Sequence, residues 1–335
     1  MNWFSILVIK FLLISLSSLS LGNHLPVNTV DNPTFFIQTA VFPKPDTPIM
    51  KLRVMDNETE KDVSACFFLE WEGDPYIPEY LDDHGIHFTT IHTGKKQRKT
   101  VLYTRGRGPV SIPLPMGTGS NGRVWVKKGY QYLPVETEFS AGDEVTVRLK
   151  RWSDISLKGW SSMDPHLHFE RTEKRIDPIW FEMIEADGLD SAVFMVLKGG
   201  NFDGVWARQD SYGRAGIGKN KKVSLIPGEE FRGVYQGHHL LFLPGSLIKP
   251  ISVGGIGQPA HLYHWPNSYS VLNQTYSSGG IGGAAHGGTF GQASTVALDA
   301  LLGASKFIEL SNTHLYRLDV WYRLLNSGVF LPPVA

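Results

Sequence analysis

The feature that most constrains this chain is a change of hydrophobic period near Trp152. Before it, apolar residues recur at every second position. "KLRVM", "RVWVKK" and "EVTVRLKRW" set Val124 with Val126, and Val145 with Val147 and Leu149, on single strand faces. Turn signals in "MDNET", "MGTGSNG" and "SAGDE" separate such runs at intervals that suit a compact antiparallel sheet better than βα units. Residues 33–152 are therefore expected to form an antiparallel β-sandwich.

Past Trp152 the period lengthens. "RIDPIWFEMIEADGLDSAVFMVL" puts Pro178 near a helix start and Ile179, Met183 and Ile184 at helical spacing, then turns through "ADGLD" into an apolar strand. "GHHLLFLPG" has strand length, and "STVALDALLGASKFIELSN" reads as a helix with Leu298, Leu301 and Leu302 on one side, feeding another strand. Strands separated by helices predict a mostly parallel α/β layer or barrel over residues 153–335. The expected fold class is thus multidomain, a β-sandwich followed by an α/β unit.

Ahead of both, "MNWFSILVIKFLLISLSSLSLG" carries a short apolar run ending in small residues, the order of an export signal cut near Gly22, with residues 23–32 as a linker. An uncleaved anchor is the alternative, because the stretch approaches the length needed to span a bilayer. No later segment is long and apolar enough to cross one. The expected location is secreted or periplasmic. Lys plus Arg and Asp plus Glu both total 32, and no long run of one sign occurs, which argues against a nucleic-acid partner. The single Cys66 rules out an internal disulfide and is expected to be a buried apolar residue.

Several histidines and glycines call for chemistry or for geometry. "DDHGIHFTTIHTGKK", with His84, His87 and His92, reads as a solvated loop, since no ligand spacing is present. "GRAGIGKN" nearly fits a phosphate-cradling loop, but Asn220 stands where a hydroxyl would hold magnesium, so a surface loop is expected. In "SSGGIGGAAHGGTFG" the glycines allow close backbone approach and His286 is the one functional side chain.

"SSMDPHLHFERTEK" differs from these. Side chains two apart on a strand point the same way, so His166 and His168 present two imidazoles on one face, about 7 Å apart at the backbone. Their company sharpens the signal. Asp164 precedes them, "PGEEF" places Glu229 and Glu230 after an apolar strand, "GHHLLFL" places His238 and His239 before one, and His286 lies among glycines. Carboxylates and imidazoles gathered at successive strand ends suit zinc, manganese or iron.

The order "MDPHLHFER", "ADGLD", "IPGEEF", "GHHLLFLPG", "AAHGG", "FIELSN" and "WYRLLNSGVFLPPVA" resembles the polymerase and histidinol phosphatase (PHP) superfamily, in particular its exported CehA/McbA-like branch of metallohydrolases. The likeness runs from about Trp152 to Ala335 and implies a partial, distorted TIM-like α/β barrel. "LRVMDNETEKDVSACFFL", "PVSIPLPMG" and "VWVKKGYQYLPVETEFSAGDEVTVRLKRW" resemble the transthyretin-like or carboxypeptidase-regulatory-like sandwich that precedes such domains, which implies a spacer or docking module.

Carried over, the PHP likeness implies His166 and His168 as a first ligand pair, Glu229 as a carboxylate able to bridge metals, and His239 and His286 as further ligands. Glu230 and His238 are the alternatives to Glu229 and His239, and Asp164 is expected to orient His166 or His168. Two departures stand out. After "GLDSAVFMV" the family has an Asp-His pair, where this chain has "LKGGNF" with Lys198 and Asn201. The family also continues past the point matched by "LPPVA" into a strand bearing a Gly-Ser-Asp motif. The implied function is metal-dependent hydrolysis of small-molecule phosphoesters, with Glu229 and Asp164 as its catalytic carboxylates; the alternative is an inactive relative serving as an envelope or ligand-binding protein.

Overall fold

The first half of the chain forms ten strands: β1 (Thr34–Gln38), β2 (Ile49–Asp56), β3 (Ser64–Trp71), β4 (Asp74–Tyr76), β5 (Gly85–His92), β6 (Gln97–Arg105), β7 (Val110–Pro113), β8 (Asn121–Lys127), β9 (Val135–Ser140) and β10 (Glu144–Leu149). The structure, a computed structural model, describes residues 34–38, 46–92, 97–116, 121–198, 205–233, 236–253, 266–288, 295–310 and 318–334. The expected export signal, the linker at 23–32 and Asn201 lie outside these residues. A seven-stranded sheet, ordered β1-β5-β6-β3-β8-β9 with β4 on β3, faces a three-stranded sheet ordered β10-β2-β7. Leu52, Val54, Phe67, Leu69, Ile112, Val124, Val126, Val147 and Leu149 fill the space between them. The alternation in "RVWVKK" and "EVTVRLKRW" thus marks inward faces.

The sandwich departs from expectation in two places. Strand β10 pairs with β2 in parallel, so the unit is not wholly antiparallel. "GIHFTTIH" is not a loop but β5, paired along its length with β6. His87 is buried there, and His84 Nδ1 sits 2.9 Å from the Pro109 carbonyl.

The second half comprises β11 (Met163–Leu167), α1 (Asp177–Ala186), β12 (Ser191–Lys198), β13 (Val205–Trp206), β14 (Gly218–Lys219), β15 (Ser224–Gly233), β16 (Gly237–Phe242), β17 (Ser252–Val253), α2 (Ser268–Ser277), β18 (Ile281–Ala284), α3 (Val296–Leu301), β19 (Ile308–Glu309), α4 (Leu318–Asn326) and β20 (Pro333–Val334). Its sheet is ten-stranded, with a main path β11-β12-β15-β16-β18-β19-β20. On that path β11, β12 and β15 run parallel, as do β18, β19 and β20, but β16 is antiparallel to both neighbours. The link from Gly233 to Gly237 is too short for a crossover helix, so the chain can only reverse. The sheet is mixed rather than mostly parallel, and the molecule is multidomain and β-rich with few helices. No helix among the described residues is long and apolar enough to cross a membrane.

The sheet curls until it is nearly closed. Val193 and Met195 of β12, Leu240 and Phe242 of β16, Ala285 and Phe307 form one apolar layer, and both Met163 of β11 and Val334 of β20 pack against it. These two strands stand at opposite ends of the sheet order, so the layer is a barrel-like interior. Gly283 permits the tight wall: a Cβ there would lie 2.4 Å from the Phe307 carbonyl oxygen.

Helix α1 starts with Pro in its first turn and wedges between the two sheets. Trp180, Met183 and Ile184 pack against Cys66, Ile86, Phe88 and Tyr103 on one side and Ala192, Phe194 and Leu225 on the other. In α3 the side expected to be apolar points outward. Leu298, Leu301 and Leu302 are exposed, while Val296, Asp299 and Ala300 are buried. Asp299 is drawn inward by Thr295 Oγ1 at 2.7 Å and Ser268 Oγ at 3.1 Å. "GRAG" is a tight 3-10 turn with Gly213 and Gly216 buried, and its Gly216 carbonyl accepts from Arg171 Nη1 at 2.8 Å. The segment lies at the surface as expected, with Arg214, Ala215, Lys219 and Asn220 exposed, and is anchored through its two buried glycines.

Candidate metal centre

Above the apolar layer the interior turns polar. Strand parity decides which side chains enter. On β15 and β16, Glu230 and Arg232 lie opposite Leu240 and His238, while Glu229 and Phe231 lie opposite Leu241 and His239. Leu240 belongs to the barrel interior and Phe231 and Leu241 to the outer layer under α2. Glu230 and His238 therefore point inward and Glu229 and His239 outward.

Six side chains from five segments meet there. His166 comes from the end of β11 and His168 from the residue just past it, Glu230 from β15, His238 from β16, His286 from the turn after β18, and Glu309 from β19. His168 Nε2 lies 3.1 Å and His166 Nε2 3.7 Å from Glu230 Oε2. Glu230 Oε1 faces the other way, 2.9 Å from His238 Nδ1. Three overlapping triads have ligand atoms within 4.8 Å of one another: His166-His168-Glu230, Glu230-His238-His286 and His166-His286-Glu309.

The far nitrogens of the first pair are already held. His168 Nδ1 is 2.9 Å from the Met195 carbonyl, which can only accept, so Nδ1 carries a proton and Nε2 is the nitrogen turned toward Glu230. His166 Nδ1 is 2.9 Å from Glu309 Oε1, a carboxylate-imidazole pair that orients the ring in the same sense. Glu309 Oε2 also accepts the His286 backbone N–H at 2.8 Å, fixing the turn that carries His286. His286 and Gly287 adopt φ of 50° and 67° in that turn, a left-handed kink that the adjoining glycines ease.

Opposite charges crowd together in this buried polar nest. Burial opposes charge on Glu230, yet Arg232 and the histidines outweigh it and hold the carboxyl well below its usual range. Burial also opposes charge on His166, but its contacts with Glu230 and Glu309 raise it to about 10. His286 is pushed down, chiefly by burial, to about 4. The nest opens onto a cleft of roughly 440 Å³ lined by Asp164, Pro165, His166, His168, Arg232, His286 and Glu309.

Of the residues expected to form a centre, His166, His168 and His286 come together. Glu229 and His239 do not. Glu229 Oε2 accepts the Ile248 N–H at 2.8 Å, and burial raises its carboxyl to about 8. His239 Nε2 lies 3.5 Å from Asp299 in the outer layer. The alternatives Glu230 and His238 take the inner places. Asp164 lines the cleft, but its Oδ1 accepts the His166 backbone N–H at 2.9 Å, so it shapes the end of β11 and not an imidazole. Lys198 ends β12.

Sequence reasoning missed Glu309 and Arg232. For Glu309 a signal exists: it is the one acid inside the apolar strand "FIEL", an expensive place for a charge without partners. Comparison with protein-family models, curated proteins and solved structures finds no match to this chain.

Proposed function

We propose that this chain is an exported, divalent-metal-dependent hydrolase of the PHP type acting on phosphoesters. The observation that carries the reading is the His166-His168-Glu230 triad, whose imidazoles keep Nε2 toward Glu230 while their Nδ1 atoms engage Met195 and Glu309. Imidazole and carboxylate donors 3.1 to 3.7 Å apart fit the edges of a tetrahedral shell with bond lengths of about 2.0–2.2 Å. The mixed nitrogen and oxygen set suits zinc, manganese or iron. The nearly closed, barrel-like curl that gathers these donors supports the reading.

His166, His168 and Glu230 would hold one ion through Nε2, Nε2 and Oε2. Glu230, His238 and His286 would hold a second. When bound, such ions supply water activation and Lewis acidity toward a phosphoryl oxygen. The chain supplies the rest. Arg232 brings positive charge to the cleft wall, Glu309 keeps His166 and the His286 turn in place, and Asp164 fixes the backbone from which His166 projects.

Elemental analysis of the purified chain, with turnover of a phosphomonoester and phosphodiester panel, tests this. Wild type is expected to hold divalent metal, and His168→Ala and Glu230→Gln to lose both metal and turnover. Glu229→Gln is expected to retain its metal. Unchanged metal content in His168→Ala and Glu230→Gln would overturn the assignment.

A further inference from the structure

Arg232 occupies an unusual position for a cation in a metal-binding nest. It stands two residues after Glu230 on the inner face of β15, and its Nη2 donates to Glu230 Oε2 at 3.0 Å. That oxygen is the one that also faces His168 Nε2 at 3.1 Å and His166 Nε2 at 3.7 Å. Arg232 lines the open cleft together with both histidines. The guanidinium thus approaches the triad from the cleft side, the side open to an entering ion, and bonds to the oxygen that ion would need.

We propose that Arg232 is a displaceable plug that becomes an anion-binding group: it caps Glu230 Oε2 in the metal-free chain, gives up that oxygen when a divalent ion enters, and then binds a tetrahedral oxyanion in the cleft. The inference rests on the metal reading above and adds an order of events to it. Two cations cannot share one carboxylate oxygen without repulsion, so ion entry turns the guanidinium outward. Outward lies the cleft, and a guanidinium fork matches two oxygens of a phosphoryl group bidentately. Ion binding therefore creates the anion site, and a phosphorylated substrate binds after the metal. The ligand class is a phosphate mono- or diester with an unesterified oxygen pair.

An ordinary supporting role for Arg232 predicts the opposite sign in one measurement. A residue that merely orients Glu230 would weaken metal binding about 10–100-fold when removed. A plug competes with the ion, so its removal should tighten metal binding by roughly tenfold, the scale of one hydrogen bond to a charged group. The experiment measures manganese and zinc affinity of the full chain by competition with a chromophoric chelator, for wild type, Arg232→Gln, Arg232→Lys and His168→Ala. Inorganic phosphate binding to the metal-loaded proteins is then measured by calorimetry.

Expected results are tighter metal binding and at least about tenfold weaker phosphate binding in Arg232→Gln. Arg232→Lys should fall between it and wild type, because it keeps charge but loses the fork. Weaker or unchanged metal affinity in Arg232→Gln, with wild-type binding intact and His168→Ala impaired, overturns the plug and leaves the metal reading standing. No metal bound by wild type overturns the metal reading itself. A cooperative melt for each variant, matching wild type within a few degrees, separates these outcomes from misfolding.

Discussion

At the scale of single residues, the centre turns on one parity choice made twice. Glu229 or Glu230, and His238 or His239, differ only in which face of a strand they take, and a shift of one residue exchanges every side chain between faces. The two histidines should therefore separate cleanly on mutation. His238→Ala is expected to lower metal affinity and, because it strips buried Glu230 Oε1 of its imidazole, to cost about 1–3 kcal/mol as well. His239→Ala leaves Asp299 buried without its imidazole and should cost about 1–3 kcal/mol in urea unfolding, with metal content unchanged. Loss of metal from His239→Ala alone would refute the inward placement of His238. Parity was not legible from sequence because β15 and β16 are covered on both sides. Leu225, Phe231 and Leu241 are as buried as Leu240 and Phe242, so apolar residues fill both faces and no alternation marks the inner one. The H-x-H pair was legible because "HLH" tells its own face: two like residues two apart can only agree.

At the scale of elements, what the sequence shows best is what one element does for itself. Pro178, the spacing of Ile179, Met183 and Ile184, and the apolar run "SAVFMVL" predict α1 and β12, and both are present. What escapes is the partner across space. Arg171, in "HFERTEK", looks like a surface charge, yet it is almost wholly buried in a two-pronged pair with Asp177, with Nε–Oδ1 at 2.8 Å and Nη2–Oδ2 at 2.7 Å. The pair ties the segment after β11 to the start of α1, and through Gly216 to the turn before β14. Asp177→Ala strands a guanidinium in the interior and should cost about 3–5 kcal/mol, measured by the urea midpoint. A cost below 1 kcal/mol would mean that water reaches the guanidinium. Gly283→Ala acts on a second junction. Its Cβ would meet the Phe307 backbone oxygen, which cannot rotate away, so β18 and β19 must separate. His286 and Glu309 sit just beyond that junction, so stability and metal affinity are expected to fall together in calorimetry and chelator competition.

For the molecule as a whole, the contact between the sandwich and the barrel-like sheet is built around α1 and includes a buried ammonium. Lys128 Nζ donates to the Ser64 carbonyl at 2.9 Å and to the Glu185 carbonyl at 2.5 Å. Arg105 and Glu182 bridge the same contact at 2.6 Å. No one-chain periodicity reveals this, because α1 shows its apolar character in sequence but not that two sheets share it. Trp180, outside the Ile179, Met183 and Ile184 set, is buried by that sharing. The consequence is a pH dependence with a definite sign. Burial lowers Lys128 from 10.5 to about 8, and nearby Glu185 only partly offsets it. Between these values the unfolded chain keeps its proton and the folded chain sheds it. The unfolded state then binds more protons, so stability rises with pH across that window. Below about 8 both states are protonated and the burial penalty is fully present. Asp187, raised chiefly by burial from 3.8 to about 6, has the opposite slope: the folded state holds the extra proton, and stability falls as pH rises through that lower window. Each unit of displacement is worth about 1.4 kcal/mol, so the Lys128 arm should amount to a few kcal/mol. Unfolding curves of wild type and Lys128→Met, taken from pH 6 to 10.5, isolate it, since groups common to both cancel in the difference. Wild type is expected to gain on the variant above pH 8; parallel curves would show that the ammonium is solvated and that the two sheets do not enclose it.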